Sequence, residues 1–221
     1  AAPILKAIQE MGYESPMPVQ EEVIPFLLGD DNDVIALAQT GTGKTAAFGL
    51  PILQKIDVTT YHPQALVLCP TRELCLQIAD DLNDYSKYID NLKVLPVYGG
   101  SSIESQIKTL KRGVHVVVAT PGRLLDLMNR KTVDLSLVKN VIMDEADEML
   151  NMGFTDSINA ILAEVPENRN MLLFSATMPK EIANITKKYM KNPKEIVIGN
   201  KNEGNKNIRD IYYMVQARDK Y

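Results

Sequence analysis

Short uninterrupted apolar runs alternate with stretches of helical period along most of the chain. Strands are expected at 34–38, 65–69, 93–98, 114–119, 140–144, 170–175 and 195–198. Helices are expected between them, at 18–28, 45–56, 72–89, 102–112, 121–129, 154–163 and 179–190. Runs such as Leu66-Val67-Leu68 and Val116-Val117-Val118 show no polar alternation, which suits strands covered on both faces. Regular exchange of strand and helix implies a single α/β domain, a parallel sheet of about seven strands sandwiched between helices. No internal repeat is visible. The pattern changes after residue 199. Residues 200–209 fall in the polar, glycine-bearing run Gly199 to Asn207 and its sequel, a linker by composition. Ile211-Tyr212-Tyr213-Met214-Val215 then reads as a new strand, so 210–221 is expected to open a second, truncated domain.

Composition narrows the picture. With 221 residues and 45% apolar content the chain can bury a real core. No stretch approaches the roughly 18 apolar residues of a membrane span, and no signal peptide is visible, although the start at Ala1-Ala2-Pro3 reads as a cut in a longer chain. Cys69 ends an expected strand and Cys75 falls in the next helix, which is not a metal spacing. They read as reduced thiols of a cytoplasmic core. His62 and His115 are isolated. The net charge of −4 argues against a general polyanion sponge. The basic run Lys187-Lys188-Tyr189-Met190-Lys191 suits a solvated, dipole-matched helix end.

Candidate chemistry sits in two places. Ala38-Gln39-Thr40-Gly41-Thr42-Gly43-Lys44-Thr45 follows the first expected strand and opens a helix. Gly41 and Gly43 let the backbone curl toward an anion, so that N–H groups and the positive helix end meet phosphate oxygens. Lys44 adds a charge at the β/γ-phosphates, and the Thr45 hydroxyl can ligate Mg²⁺. The usual pattern opens with glycine where this chain has Ala38. An ordinary glycine-rich turn is the bland alternative, and the strand–loop–helix context weighs against it. Asp144-Glu145-Ala146-Asp147 follows Val141-Ile142-Met143, at a strand end where open sheets gather ligands. Asp144 can hold Mg²⁺ there, and Glu145 can orient or deprotonate a water attacking the γ-phosphate. An acidic first helical turn is the bland alternative.

These motifs bring a resemblance. Asp-Glu-Ala-Asp is the name-giving motif of the DEAD-box RNA helicases, and nearly the whole chain resembles that family's first, RecA-like domain. Gly12 to Gln20 resembles the Q motif, Ala38 to Thr45 motif I, and Pro70-Thr71-Arg72-Glu73-Leu74 motif Ia. Gly99-Gly100 matches the glycine doublet, Thr120-Pro121-Gly122-Arg123 motif Ib, Asp144 to Asp147 motif II and Ser175-Ala176-Thr177 motif III. The resemblance implies an adenine site in which Gln20 reads the base edge and Tyr13 packs on its face. Thr40, Gly41, Thr42, Gly43, Lys44, Thr45 and Ala46 would hold the phosphates, with Thr45 and Asp144 on the metal. Glu145, Lys44 and Asp144 would be the catalytic groups. Met17 departs from the family's Thr or Ser, and the family's further upstream aromatic would lie before Ala1.

The resemblance also implies that Thr71, Arg72, Gly99, Gly100, Thr120 and Arg123 line a single-strand RNA track. Such turns offer N–H groups, hydroxyls and a guanidinium to backbone phosphates and 2′-OH groups, with little base reading. The alternative for either arginine is a pair with a nearby carboxylate such as Glu73 or Asp126. Ser175 and Thr177 would bond Asp147 and couple the ATP site to domain closure, or simply cap a helix. The family's second RecA-like domain supplies an arginine finger and half the RNA site, and none of its motifs occurs here. The expectation is therefore an ATP- and Mg²⁺-dependent RNA helicase represented by its first domain, monomeric, cytoplasmic and inactive alone. A phosphotransferase or other nucleoside triphosphatase would leave Gln20, Arg72 and Arg123 without a task. An ATP-gated RNA clamp that nucleates an assembly shares every motif and stays open.

Overall fold

The computed structural model describes residues 2–29 and 33–198; the linker expected at 200–209 and the strand expected at 211–215 lie outside the described residues. In chain order the elements are α1 (Ala2–Glu10), α2 (Pro18–Gly29), β1 (Val34–Leu37), α3 (Lys44–Lys55), β2 (Ala65–Leu68), α4 (Arg72–Tyr85), β3 (Val94–Val97) and α5 (Ile103–Lys111). There follow β4 (Val116–Ala119), α6 (Pro121–Asn129), β5 (Asn140–Met143), α7 (Ala146–Asn151), α8 (Thr155–Glu164), β6 (Asn170–Ser175), α9 (Lys180–Tyr189) and β7 (Lys194–Val197). The seven strands form one sheet in the order β3-β4-β2-β5-β6-β1-β7, every pair parallel.

The uninterrupted apolar runs have a direct cause. Successive strand side chains point to opposite faces, and both faces are covered. Val34, Ala36, Ala65, Val67, Val116 and Val118 join one core with α2, α3 and α4. Ile35, Leu37, Leu66, Leu68, Val117 and Ala119 join the other, with α6, α7, α8 and α9. At the far edge of the sheet, buried Asp33 accepts from the N–H groups of Met171 at 2.7 Å and Lys191 at 2.6 Å, tying β1, β6 and the approach to β7 together.

The split of helices between faces also places the site. From β1 to β3 the chain moves toward one edge with α3 and α4 on the first face. From β3 it doubles back, with α5 through α9 on the second. Right-handed crossovers require a change of face on reversal. The loops leaving β1 and β2 therefore diverge from those of their neighbours β6, β5 and β4. That divergence opens crevices at the carboxyl ends of the strands, where ligands of open α/β sheets bind.

Candidate nucleotide and RNA site

The phosphate loop is shaped by two left-handed glycines, Gly41 at φ 75° and Gly43 at φ 79°, values that residues with a Cβ resist. Thr42 closes it by donating from Oγ1 to the Gln39 carbonyl at 2.8 Å. Helix α3 begins with no side-chain cap, so the first N–H groups of α3, Ala46 among them, form an anion-binding end. The exposed Thr40 marks the mouth of the loop.

Lys44 crosses from α3 to the tip of β5, where its Nζ lies 3.4 Å from Asp144 Oδ1 with both side chains almost wholly buried. Burial pushes the Asp144 carboxyl above its usual range, while the Lys44 ammonium pulls it back. Asp144 Oδ1 also accepts the Glu145 N–H at 3.0 Å. Glu145 is held at φ 52° and ψ 50°, in the left-handed region, at a cost of roughly 1–2 kcal/mol for a residue with a side chain. Burial first, then the Asp144 charge, raises the Glu145 carboxyl as well. A strained carboxylate that holds its proton more tightly than usual is suited to act as a base.

The donor set fits magnesium. Among the described residues no group of three or more His, Cys, Asp or Glu is placed to hold a metal. One buried carboxylate, Asp144, and one hydroxyl, Thr45, match an ion that keeps several waters and shares phosphate oxygens. The Thr45 hydroxyl donates to Asp81 of α4, a carboxyl raised by its own burial and by Asp84.

Where the adenine is expected, buried Gln20 donates from Nε2 to the Gly43 carbonyl at 3.1 Å and accepts the Met17 N–H at 2.9 Å. Both ends of its amide are thus engaged with the loop and its own segment. Tyr13, about 39% exposed, meets buried Tyr85 hydroxyl to hydroxyl at 3.0 Å. Their rings pack edge to face with centroids 6.2 Å apart. Helix α1 is tied to the turn after α4 through Glu10, which accepts from Lys87 at 2.9 Å and from the Tyr88 hydroxyl.

The expected track residues come together on the turns after β2, β3 and β4. Thr71 caps α4 by accepting the Leu74 N–H at 3.2 Å. Arg72 lies over the Tyr98 ring, 5.0 Å from its centroid. Gly100, at φ 81°, gives the turn after Gly99 a left-handed residue beside the Arg72 guanidinium, whose Nη1 a Cβ there would meet in ordinary contact at 3.7 Å. Thr120 precedes Pro121 at the start of α6 and makes no side-chain cap. Arg123 donates from Nη1 to the Ser101 carbonyl at 3.1 Å and Gln106 Oε1 at 3.0 Å, and from Nη2 to Ser101 at 3.2 Å. The carboxylate pairing expected as an alternative for Arg123 is not formed: Asp126 instead takes Arg130 at 2.8 Å. Sequence reading overlooked Tyr98, Ser101 and Gln106, although Tyr98 stands directly before the glycine doublet.

Thr177 joins the turn after β6 to the start of α7, its N–H and Oγ1 both donating to Asp147 Oδ2 at 3.0 and 2.8 Å. Ser175 does not reach Asp147; its buried hydroxyl donates to the Thr177 carbonyl at 2.7 Å and orders that residue. The Ser175 carbonyl in turn accepts the Ala38 N–H at 3.0 Å, so the loops after β1, β5 and β6 are linked in series.

Comparisons with known proteins agree with this geometry. The family model for the DEAD/DEAH box helicase matches residues 17–185. An ATP-dependent RNA helicase DeaD of Mycobacterium tuberculosis is 51% identical over 215 residues, covering 97% of this chain and 38% of that protein. The protein of the same name from Escherichia coli K12 is 47% identical over 214 residues, 97% of this chain and 34% of that one. The chain thus spans about a third of the length of these relatives. Among solved structures, a DEAD box protein from the hyperthermophile Methanococcus jannaschii superposes with a TM-score of 0.85 at 46% identity, covering 89% of this chain and 53% of that one. A hypothetical ATP-dependent RNA helicase from Sulfolobus tokodaii gives a TM-score of 0.81 at 44% identity, covering 89% and 57%. With a RecA-like sheet, a phosphate loop on β1 and an Asp-Glu-Ala-Asp turn on β5, the chain belongs to the DEAD/DEAH box helicase family.

Proposed function

We propose that the chain is the nucleotide-binding first domain of an ATP-dependent RNA helicase, cytoplasmic, acting on RNA through backbone contacts with little sequence preference. The observation that carries this reading is the buried Lys44–Asp144 pair at 3.4 Å beside left-handed Glu145, with the Thr71–Arg123 turns on the adjoining crevice.

Lys44 exchanges Asp144 for the β- and γ-phosphates when ATP enters, and the α3 N-terminus and Gly41–Gly43 turn cradle the remaining oxygens. Thr45 and Asp144 would hold magnesium, which would offset negative charge on the phosphates. Glu145 takes the proton of the water whose oxygen forms the new bond to γ-phosphorus, as the bond to the β,γ-bridging oxygen of ADP breaks. Thr177 on Asp147 carries the state of that turn toward a second RecA-like domain, which supplies the arginine that completes the transition state. Thr71, Arg72, Gly99, Gly100, Thr120 and Arg123 hold one strand of RNA along the same edge.

Phosphate release measured with and without single-stranded RNA tests this, for residues 1–221 and for a chain extended through the second domain. The short chain is expected to turn over negligibly, and the extended one faster by on the order of 10³–10⁵, the worth of an arginine finger. Strong RNA-stimulated turnover by the short chain alone would refute the half-site reading.

A further inference from the structure

The side chain of Met17 lies against the phosphate loop. A Cβ built on Gly43 would sit 2.7 Å from Met17 Sδ and 2.4 Å from Gln20 Nε2. The thioether and the glutamine amide therefore cover the same glycine with no room for a methyl group. The Met17 N–H also holds Gln20 Oε1 at 2.9 Å, while Gln20 Nε2 holds the Gly43 carbonyl at 3.1 Å. Met17 is nevertheless open to solvent, 41% exposed, comparable to Met11 at 39% and Met152 at 47%. Of these three, Met17 alone has its sulfur on the glycine that starts α3.

The geometry points to Met17 as a reversible oxidation site that controls nucleotide binding. The reagent class is a peroxide. The sulfur lone pair attacks one peroxide oxygen, the O–O bond breaks, sulfur is oxidised to the sulfoxide and water leaves. A thiol-dependent reductase returns the thioether, with two thiols oxidised to a disulfide and the oxygen leaving as water. The product carries a strong acceptor oxygen on a side chain that was apolar and adaptable. Placed beside Gln20 Nε2, that oxygen competes with the Gly43 carbonyl for the amide group, and the added bulk presses on a loop that has no room for a methyl group. Simple gap filling by methionine would give no such link between oxidation and ligand affinity.

This role presupposes the adenine-nucleotide site proposed above, so the test reads both. The 221-residue chain is titrated with ADP and with GDP in magnesium buffer, before and after hydrogen peroxide, with peptide mass spectrometry to locate sulfoxides. ADP affinity is expected to fall about fivefold on oxidation, the worth of one exchanged hydrogen bond, and to recover on treatment with methionine sulfoxide reductase. Met17→Leu, whatever its own starting affinity, loses the oxidation-dependent drop; Met11→Leu and Met152→Leu keep it. A mapped Met17 sulfoxide with unchanged ADP affinity overturns the role, as does a Met17 that stays reduced while Met11 and Met152 oxidise. So does a Met17→Leu chain that drops as far as the parent. An untreated chain with no preference for ADP over GDP overturns the nucleotide reading and this role with it.

Discussion

The two halves of the carboxyl edge are built on opposite plans. Around β1, β5 and β6 the functional groups are charged, buried and strained: Lys44 against Asp144, and Glu145 in a left-handed conformation. Around β2, β3 and β4 they are partly exposed and held by neutral partners: Thr71 on the Leu74 N–H, Arg72 on the Tyr98 ring and Arg123 on the Ser101 carbonyl. The first plan suits a small ligand of concentrated charge, because the ligand replaces the partners that now hold each group. The second suits a polymer backbone, because its contacts are pre-set and their individual worth is small. Strain is kept on the side where chemistry is proposed and is absent from the turns that would only hold.

The sharpest test of that division is Glu145→Gln in a chain extended through the second domain. RNA-stimulated turnover should fall by about 10²–10⁴, the usual worth of a positioned base, while ATP affinity is spared. The parent should also lose turnover as pH falls through the Glu145 pKa, which lies above the ordinary 4.5. The sign is that of a raised acid: the folded chain binds the proton more tightly than the unfolded one, so the base form disappears early while stability gains on acidification. The Glu145→Gln chain lacks that limb. Normal turnover in the variant would remove Glu145 from the chemistry.

A smaller effect is expected across the boundary. Arg123→Lys keeps charge but loses the forked grip on Ser101 and Gln106, so RNA affinity should fall about tenfold, within the range for hydrogen bonds to charged groups. ADP affinity should not move. Fluorescence anisotropy with a labelled single strand, beside calorimetry with ADP, separates the two. Equal losses in both would mean that the halves are not independent.

The smallest effect has opposite signs on the two sides. Glu145→Gly relieves the left-handed strain and should raise stability by about 1 kcal/mol, whereas Thr71→Ala removes a helix cap and should lower it by about as much. Urea midpoints at constant slope report both. A Glu145→Gly chain no more stable than the parent would show that the turn bears no strain.

Much of this was legible before any coordinates. Apolar runs without alternation imply two covered faces, and the cores on Val34/Ala36 and Ile35/Leu37 show why. Expected strand 114–119 shortens to Val116–Ala119 because Val114 and His115 approach the sheet without forming a ladder; the His115 N–H goes to the Lys93 carbonyl. Helix α4 stops at Tyr85 rather than at 89, where the Ser86 hydroxyl turns back on the Leu82 carbonyl at 2.7 Å. Sequence reading missed α1, whose buried Ile4 and Ala7 stand at helical spacing, and α7, whose six residues are too few to show a period. In the site, motif glycines and charges announce themselves by type. What does not is the wiring: Gln20 turned onto Gly43, and Arg123 onto a carbonyl 22 residues away. Those depend on which loops the sheet order makes adjacent, a tertiary fact that no local window contains.

Strand β6 contributes no charged group, yet it sits between β1 and β5 with Val34 opposite Leu172 and Val141 opposite Met171. A slip of one residue along either neighbour would swap its two apolar sets between the cores. The gap between the phosphate loop and the acidic turn is therefore metered by hydrophobic parity, in steps of two residues. An inserted or deleted residue within β6 should disable the nucleotide crevice while leaving every polar side chain of the site in the sequence.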